Sequence, residues 1–130
     1  MGKTTITLAT AEVCTILYFL FGEFDIALQC LLVFIVLDYI SGLIKAFCTK
    51  TLSSKIGFKG IVKKVGILAI VALSVSLDRL GGNTGAIRTL VIYYFVANEG
   101  LSVLENLAEA GIPIPKSIKK ALKNIKKEYK

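Results

Sequence analysis

Three acidic side chains carry the chemical interest of this 130-residue chain, because each falls inside an apolar stretch. They are Glu12, Asp38 and Glu99. A carboxyl group in such surroundings can do acid–base work or must be sheltered by other helices, by water or by a proton. The acid–base reading lacks partners. Histidine is absent, which removes the usual carrier of proton transfer and metal chemistry near neutral pH. Cys14, Cys30 and Cys48 have no metal-knuckle spacing and read as small core residues. Gly2-Lys3-Thr4-Thr5 echoes the end of a phosphate-binding loop, but it lacks the upstream glycine and the preceding strand. The N-terminal myristoylation pattern fails because Ile6 occupies its Ser/Thr position. No serine, cysteine or lysine has a recognisable base partner. The chain is read as non-enzymatic, without cofactor or metal.

The elements that hold these acids are membrane helices. Apolar residues make up 55% of the chain, and uncharged runs cover residues 13–22, 26–37, 65–77 and 89–98. A spanning helix needs about 20 mostly apolar residues. The spacing predicts spans at about 5–22, 26–47, 61–78 and 86–107. The last is the weakest, since Asn98, Glu99, Ser102, Glu105 and Asn106 crowd its second half, so a three-span arrangement competes with four. Glu23-Phe24-Asp25 is a short acidic turn and predicts a tight hairpin of the first two spans. Gly81-Gly82-Asn83-Thr84-Gly85 is a loop by composition. A cleaved signal peptide is disfavoured, because Glu12 interrupts the first run and no small-x-small site follows it. The expected fold is an all-α integral membrane protein with three to four short transmembrane helices plus interfacial amphipathic helices, oligomeric. Its transmembrane part occupies residues 1–112, with a basic loop at 48–60 and a lysine-rich tail at 113–130.

Charge fixes the orientation. The net charge is +7, and it is concentrated. With four spans, Lys3, Lys45, Lys50, Lys55, Lys59, Lys63, Lys64 and the tail lysines share one side, against Arg79 and Arg88 on the other. The positive-inside rule then predicts a multi-pass protein of the bacterial cytoplasmic membrane with both termini cytoplasmic. Lys55, Lys59 and Lys63 form an i, i+4, i+8 stripe beside Phe58, Ile61, Val62 and Val65. After Pro113 and Pro115, Ile118, Leu122, Ile125 and Tyr129 line one side of a tail helix. Lysines cover the rest. Anionic lipid is the expected partner of Lys55, Lys59, Lys63, Lys64, Lys116, Lys119, Lys120, Lys123, Lys126 and Lys127. Nucleic acid is not, since no aromatics are interleaved to stack bases.

A central acid costs about 2.5–3.5 kcal/mol on insertion scales, so three facing lipid would cost on the order of 8–10 kcal/mol. Asp78 belongs nearer a headgroup region, and Glu12 is open to the same reading. Asp38 is followed by Gly42 and Ala46 at i+4 and i+8, a stripe that lets another helix approach closely. Ala72 and Ser76 make a similar pair, and Asn98, Ser102, Glu105 and Glu109 form a further polar stripe. Asp38, Gly42 and Lys45 are the expected association stripe, with Asn98, Glu99, Ser102 and Glu105 as a second polar surface between subunits or along a water-filled path.

Three segments resemble the phage lysis and clostridial toxin-secretion holin family. They are Leu37-Asp38-Tyr39-Ile40-Ser41-Gly42-Leu43-Ile44-Lys45-Ala46, then Leu52-Ser53-Ser54-Lys55-Ile56-Gly57-Phe58-Lys59-Gly60 running into Lys63-Lys64, and Asn98-Glu99-Gly100-Leu101-Ser102 continuing to Gly111-Ile112-Pro113-Ile114-Pro115. Together they cover most of the chain from Ile26 to the prolines, while the first span carries no signature. The resemblance implies a small membrane protein that accumulates, associates with itself and opens large holes. An endolysin or a large toxin would pass through these as cargo, without stable binding. Two other classes stay open: a small-solute channel or transporter, for which no internal repeat is visible, and a non-conducting scaffold or antiholin.

Overall fold

Helix punctuation decides where the chain turns. The computed structural model describes residues 1–129, with five helices and no strand among them. They are α1 (Gly2–Phe21), α2 (Ile26–Cys48), α3 (Ser54–Leu80), α4 (Ala86–Glu109) and α5 (Lys116–Tyr129). Lys130, counted above in the basic tail, lies outside the described residues. Gly22 ends α1 at φ +78°, a left-handed conformation that a side chain would resist. Asp25 then caps α2, its carboxylate accepting the Leu28 amide at 3.0 Å. Ser53 caps α3 by accepting from Ile56 at 3.2 Å. Near the end of α3, Asp78 reaches across the 81–85 turn and accepts from the amides of Ile87 and Arg88 at 3.0 and 2.8 Å. An acid on one helix thereby satisfies orphan donors at the start of the next.

All of α1 to α4 are long and apolar enough to cross a membrane, so the fourth segment joins the others despite its polar second half. The third helix begins at Ser54, not near 61, and the connection expected at 48–60 shrinks to residues 49–53. The reason is the Ser53 cap: once it starts the helix, nothing from Lys55 to Lys64 breaks it. The lysine stripe is therefore the first turns of a helix of roughly 40 Å.

Leu28, Leu31 and Ile35 of α2 pack with Ile67 and Val71 of α3 and Ile92 of α4 in one buried cluster. Helix α1 contributes no buried residue. It does not form the expected hairpin with α2; its backbone packs on α3. An apolar crevice of about 680 Å³ separates them, lined by Leu17, Tyr18 and Phe21 of α1, Leu28 and Leu32 of α2 and Leu68 of α3. Two arginines fasten the end of α1 to α3 and α4. Arg79 donates to the Phe19 carbonyl and stacks on its ring, 4.6 Å from the centroid. Arg88 donates to the carbonyls of Phe21 and Glu23, each at 2.8 Å, and pairs with Asp25 at 2.8 Å. These cations lie at the negative end of the α1 dipole. Cys14 and Cys48, expected in the core, are exposed on outer faces, and Cys30 is half-buried.

Helix α5 is amphipathic with the predicted apolar side, and that side is applied to α4. The Leu122 methyls lie over Gly100, and the Tyr129 ring stacks on Tyr93 with centroids 5.1 Å apart. Going seven residues forward along α5 goes seven back along α4, so the two run antiparallel.

Arg88→Ala should lower the unfolding free energy of the micelle-solubilised protein by about 2 kcal/mol, because it releases several charge-assisted hydrogen bonds at once. Asp25→Asn should cost less, since its carboxylate is partly solvent-exposed. The Arg88 hydrogen bond also holds the Asp25 carboxyl below its ordinary pKa. Its contribution is thus present above the unfolded value and lost as pH falls through the lower folded one. Thermal unfolding at neutral pH and below the carboxylate range measures both.

Candidate functional site

Midway along the bundle three charged side chains from three helices meet. Lys64 of α3 donates to Asp38 of α2 and, at 2.7 Å, to Glu99 of α4. All are withdrawn from the surface: the side-chain exposures are 12% for Lys64, 9% for Asp38 and 2% for Glu99. Asn106, two turns beyond Glu99, donates to the Asp38 carboxylate and to the Ser41 hydroxyl, both at 3.1 Å. Ser41 in turn donates to the Asp38 carbonyl at 3.1 Å. No buried side-chain nitrogen or oxygen among the described residues lacks a partner. One cation serves two acids, and the amide supplements it on the Asp38 side. Such a group depends above all on its cation, because loss of Lys64 would leave two desolvated acids uncompensated.

Local sequence brings them together. Asp38 shares a helix face with Ser41 and Gly42, and a Cβ at Gly42 would stand 3.7 Å from the Asn106 amide nitrogen. The small residue lets α4 come close enough for Asn106 to reach the acid. On the α3 side, Tyr39 lies against Gly57 and Gly60, where an added Cβ would meet its ring at 3.4 Å. These contacts set α3 at the height where Lys64 reaches inward. From the lysine-rich end a cleft of about 520 Å³ leads to the site, with Lys45, Lys59, Lys63, Ser102 and Asn106 among its lining residues.

The expected residues fall into three groups. Asp38, Glu99 and Ser102 turn inward, and the Asp38–Gly42–Ala46 stripe packs on α4 of the same chain. Glu105 is exposed and Asn98 half-buried, while Lys45 pairs with Glu109 at 2.8 Å on the surface. The inward face of α4 is therefore Glu99, Ser102, Asn106, and the anticipated 98–102–105–109 stripe runs beside it. Lys55, Lys59 and Lys63 are exposed. Lys64, grouped with them as a lipid-facing lysine, is instead the cation of the buried site. It is the neighbour of Lys63 and so sits about 100° round the helix from the stripe. In the tail, Lys116, Lys119, Lys120, Lys123 and Lys127 are exposed and Lys126 is half-buried. Asn106 went unrecognised as a site residue, although its i+7 spacing from Glu99 puts it on the same face. Among the described residues no cluster of His, Cys, Asp or Glu could hold a metal ion.

A sequence model described as the bacteriophage holin family matches residues 15–127, nearly the whole chain. A protein of Clostridium perfringens described as an uncharacterized 14.9 kDa protein in the nagH 3' region is 49% identical, with 85% of each chain covered. An uncharacterized Listeria monocytogenes protein is 45% identical over 78% of this chain and 72% of its own. The probable holin of Bacillus phage phi105 is 36% identical, over 75% of this chain and 71% of its own. No solved structure matches.

The site predicts an asymmetry between its members. Lys64→Met leaves two acids buried without a cation and should destabilise the fold by about 3–5 kcal/mol. Glu99→Gln leaves a one-to-one pair of Lys64 with Asp38 and should cost less than about 1 kcal/mol. Folded yield and thermal unfolding in micelles test this; equal losses from the two variants would contradict it.

Proposed function

We propose that this chain, which belongs to the bacteriophage holin family, associates with copies of itself in the bacterial cytoplasmic membrane and opens holes large enough to release an endolysin or a large toxin. The observation that carries this reading is the family match over residues 15–127, which takes in α2 to α4 whole together with the end of α1 and most of α5. The physical character of the chain supports it. Four helices are suited to crossing a bilayer. The N-terminus, the 49–53 turn and the start of α5 lie on the cytoplasmic side in this reading, which puts that lysine-rich end at the anionic inner leaflet, while α5 runs back from it toward the arginine end. Lys55 and Lys59, beside exposed Phe58, supply the lipid contacts there, while Lys63, level with the buried charges, lines the cleft that leads to them. Helix α1 offers a largely exposed apolar surface, with Ile6, Leu8, Val13 and Ile16 on it, to a neighbouring copy.

Asp38 and Gly42 act indirectly in this mechanism. By seating α4 against α2 they fix which surfaces a copy presents to the next. Asp38→Leu keeps the Lys64–Glu99 pair, so the protein should still insert, while the time to lysis should change.

The test is expression in a bacterial host together with an endolysin that has no export signal. The expected course is growth, then abrupt loss of turbidity with endolysin activity outside the cells. Leakage confined to small solutes would establish a channel in place of a hole. Viable cells at every expression level would point to a scaffold or antiholin and overturn the proposal.

A further inference from the structure

Helix α5 runs back along α4 at a depth where the neighbouring helices are membrane-spanning. Its Leu122 lies over Gly100, the residue beside Glu99, and so level with the buried charges. Its Tyr129 reaches Tyr93, further toward the arginine end. The fit is specific. A Cβ on Gly100 would come within 3.0 Å of the Leu122 methyls and 3.1 Å of Phe34, so the absent side chain leaves the hollow that Leu122 fills. With its apolar side covered, α5 turns Lys120, Lys123 and Lys127 outward, all exposed. Lipid cannot be the medium on that side, because several ammonium groups would stand at hydrocarbon depth with no partner.

The rest of the surface differs at the same depth. Helix α2 exposes Val33, Val36, Leu37 and Ile40, and α3 exposes Val62, Val65 and Ile70. The molecule is thus two-sided, with apolar flanks on α2 and α3 and a cationic wall on α5. A membrane-embedded body of this kind satisfies both surfaces only where lipid bathes one and water the other.

We propose that α5, docked on α4, forms the water-facing wall of the assembled hole, giving it a lysine-lined lumen that favours anions. The inference rests on the hole-forming reading and adds to it which helix meets the water. The Asp38 and Glu99 carboxylates, committed to Lys64, are not part of that wall.

The full chain reconstituted in planar bilayers under a KCl gradient tests it. The wild-type reversal potential should lie toward the chloride equilibrium value. Lys120→Glu/Lys123→Glu/Lys127→Glu should carry it across zero toward potassium, and the milder glutamine triple should bring it near zero. Leu122→Asn/Tyr129→Ser retains these lysines but removes their apolar anchors, and it too should lose the chloride preference. Conductance with the wild-type reversal potential in the glutamate triple would overturn the proposal, as would a preference that survives undocking. A wild-type chain that never conducts would overturn the hole-forming reading itself, a result distinct from both.

Discussion

One ammonium group shared by two buried carboxylates is the constraint on which the bundle depends. Lys64 can meet Asp38 and Glu99 together only if α2, α3 and α4 stand at one relative height and rotation. Apolar packing alone does not impose this, since lipid chains are as apolar as the leucines of the core and helices can slide without loss. The buried cluster of Leu28, Leu31, Ile35, Ile67, Val71 and Ile92 supplies contact. The charges supply register. A well-packed apolar replacement of all three could be as stable, so what the group contributes is a unique arrangement more than raw stability.

At the opposite end the chain solves a different problem with the same kind of group. The last carbonyls of α1 have no intrahelical donors, and α1 buries nothing to hold it in place. Arg79 and Arg88 supply those donors from α3 and α4, and Arg88 also ties down Asp25 at the start of α2. Without them α1 would be held only by the 22–25 turn, the packing of Phe21 on the core and its contacts with α3. The two ends therefore have unlike tasks. The arginine end is tied together by hydrogen bonds to backbone, and the cleft at the lysine end reaches the buried charges.

Much of this was legible in the sequence, and the misses share a cause. Helix existence followed from apolar length, and the turns at 22–25 and 81–85 followed from their glycines and acids. Asp38 and Glu99 stood out because acids inside apolar runs are conspicuous. Lys64 did not, because a lysine next to a surface stripe looks like one more surface lysine. Its departure from the stripe becomes meaningful only once α3 is seen to run unbroken from Ser54, so that Lys64 faces α2 and α4 while Lys63 does not. The partner of α1 was misjudged for a similar reason. Chain adjacency favoured α2, whereas the pairing was decided by arginines more than 50 residues away in sequence. Long-range donors to backbone carbonyls leave no periodic trace.

The internal satisfaction of the acids also changes the physical account of how such a protein would act. Read from sequence, the acids and amides seemed too many for one chain to shelter, which made association a means of hiding them. In the folded chain Asp38 and Glu99 are already paired with Lys64, and no buried polar side-chain atom among the described residues is left over. A single copy can then rest in the bilayer without recruiting others to cover these two acids, and copies can accumulate without opening anything. What remains unmatched to lipid is the lysine face of α5, together with Glu12, exposed on α1. A lone copy can wet that face only by drawing water or headgroups inward along one side, a local bilayer defect whose cost falls when several copies share one water-filled space. On this account crowding favours assembly through the shared wetting of α5, and the buried charges keep each subunit rigid while it happens.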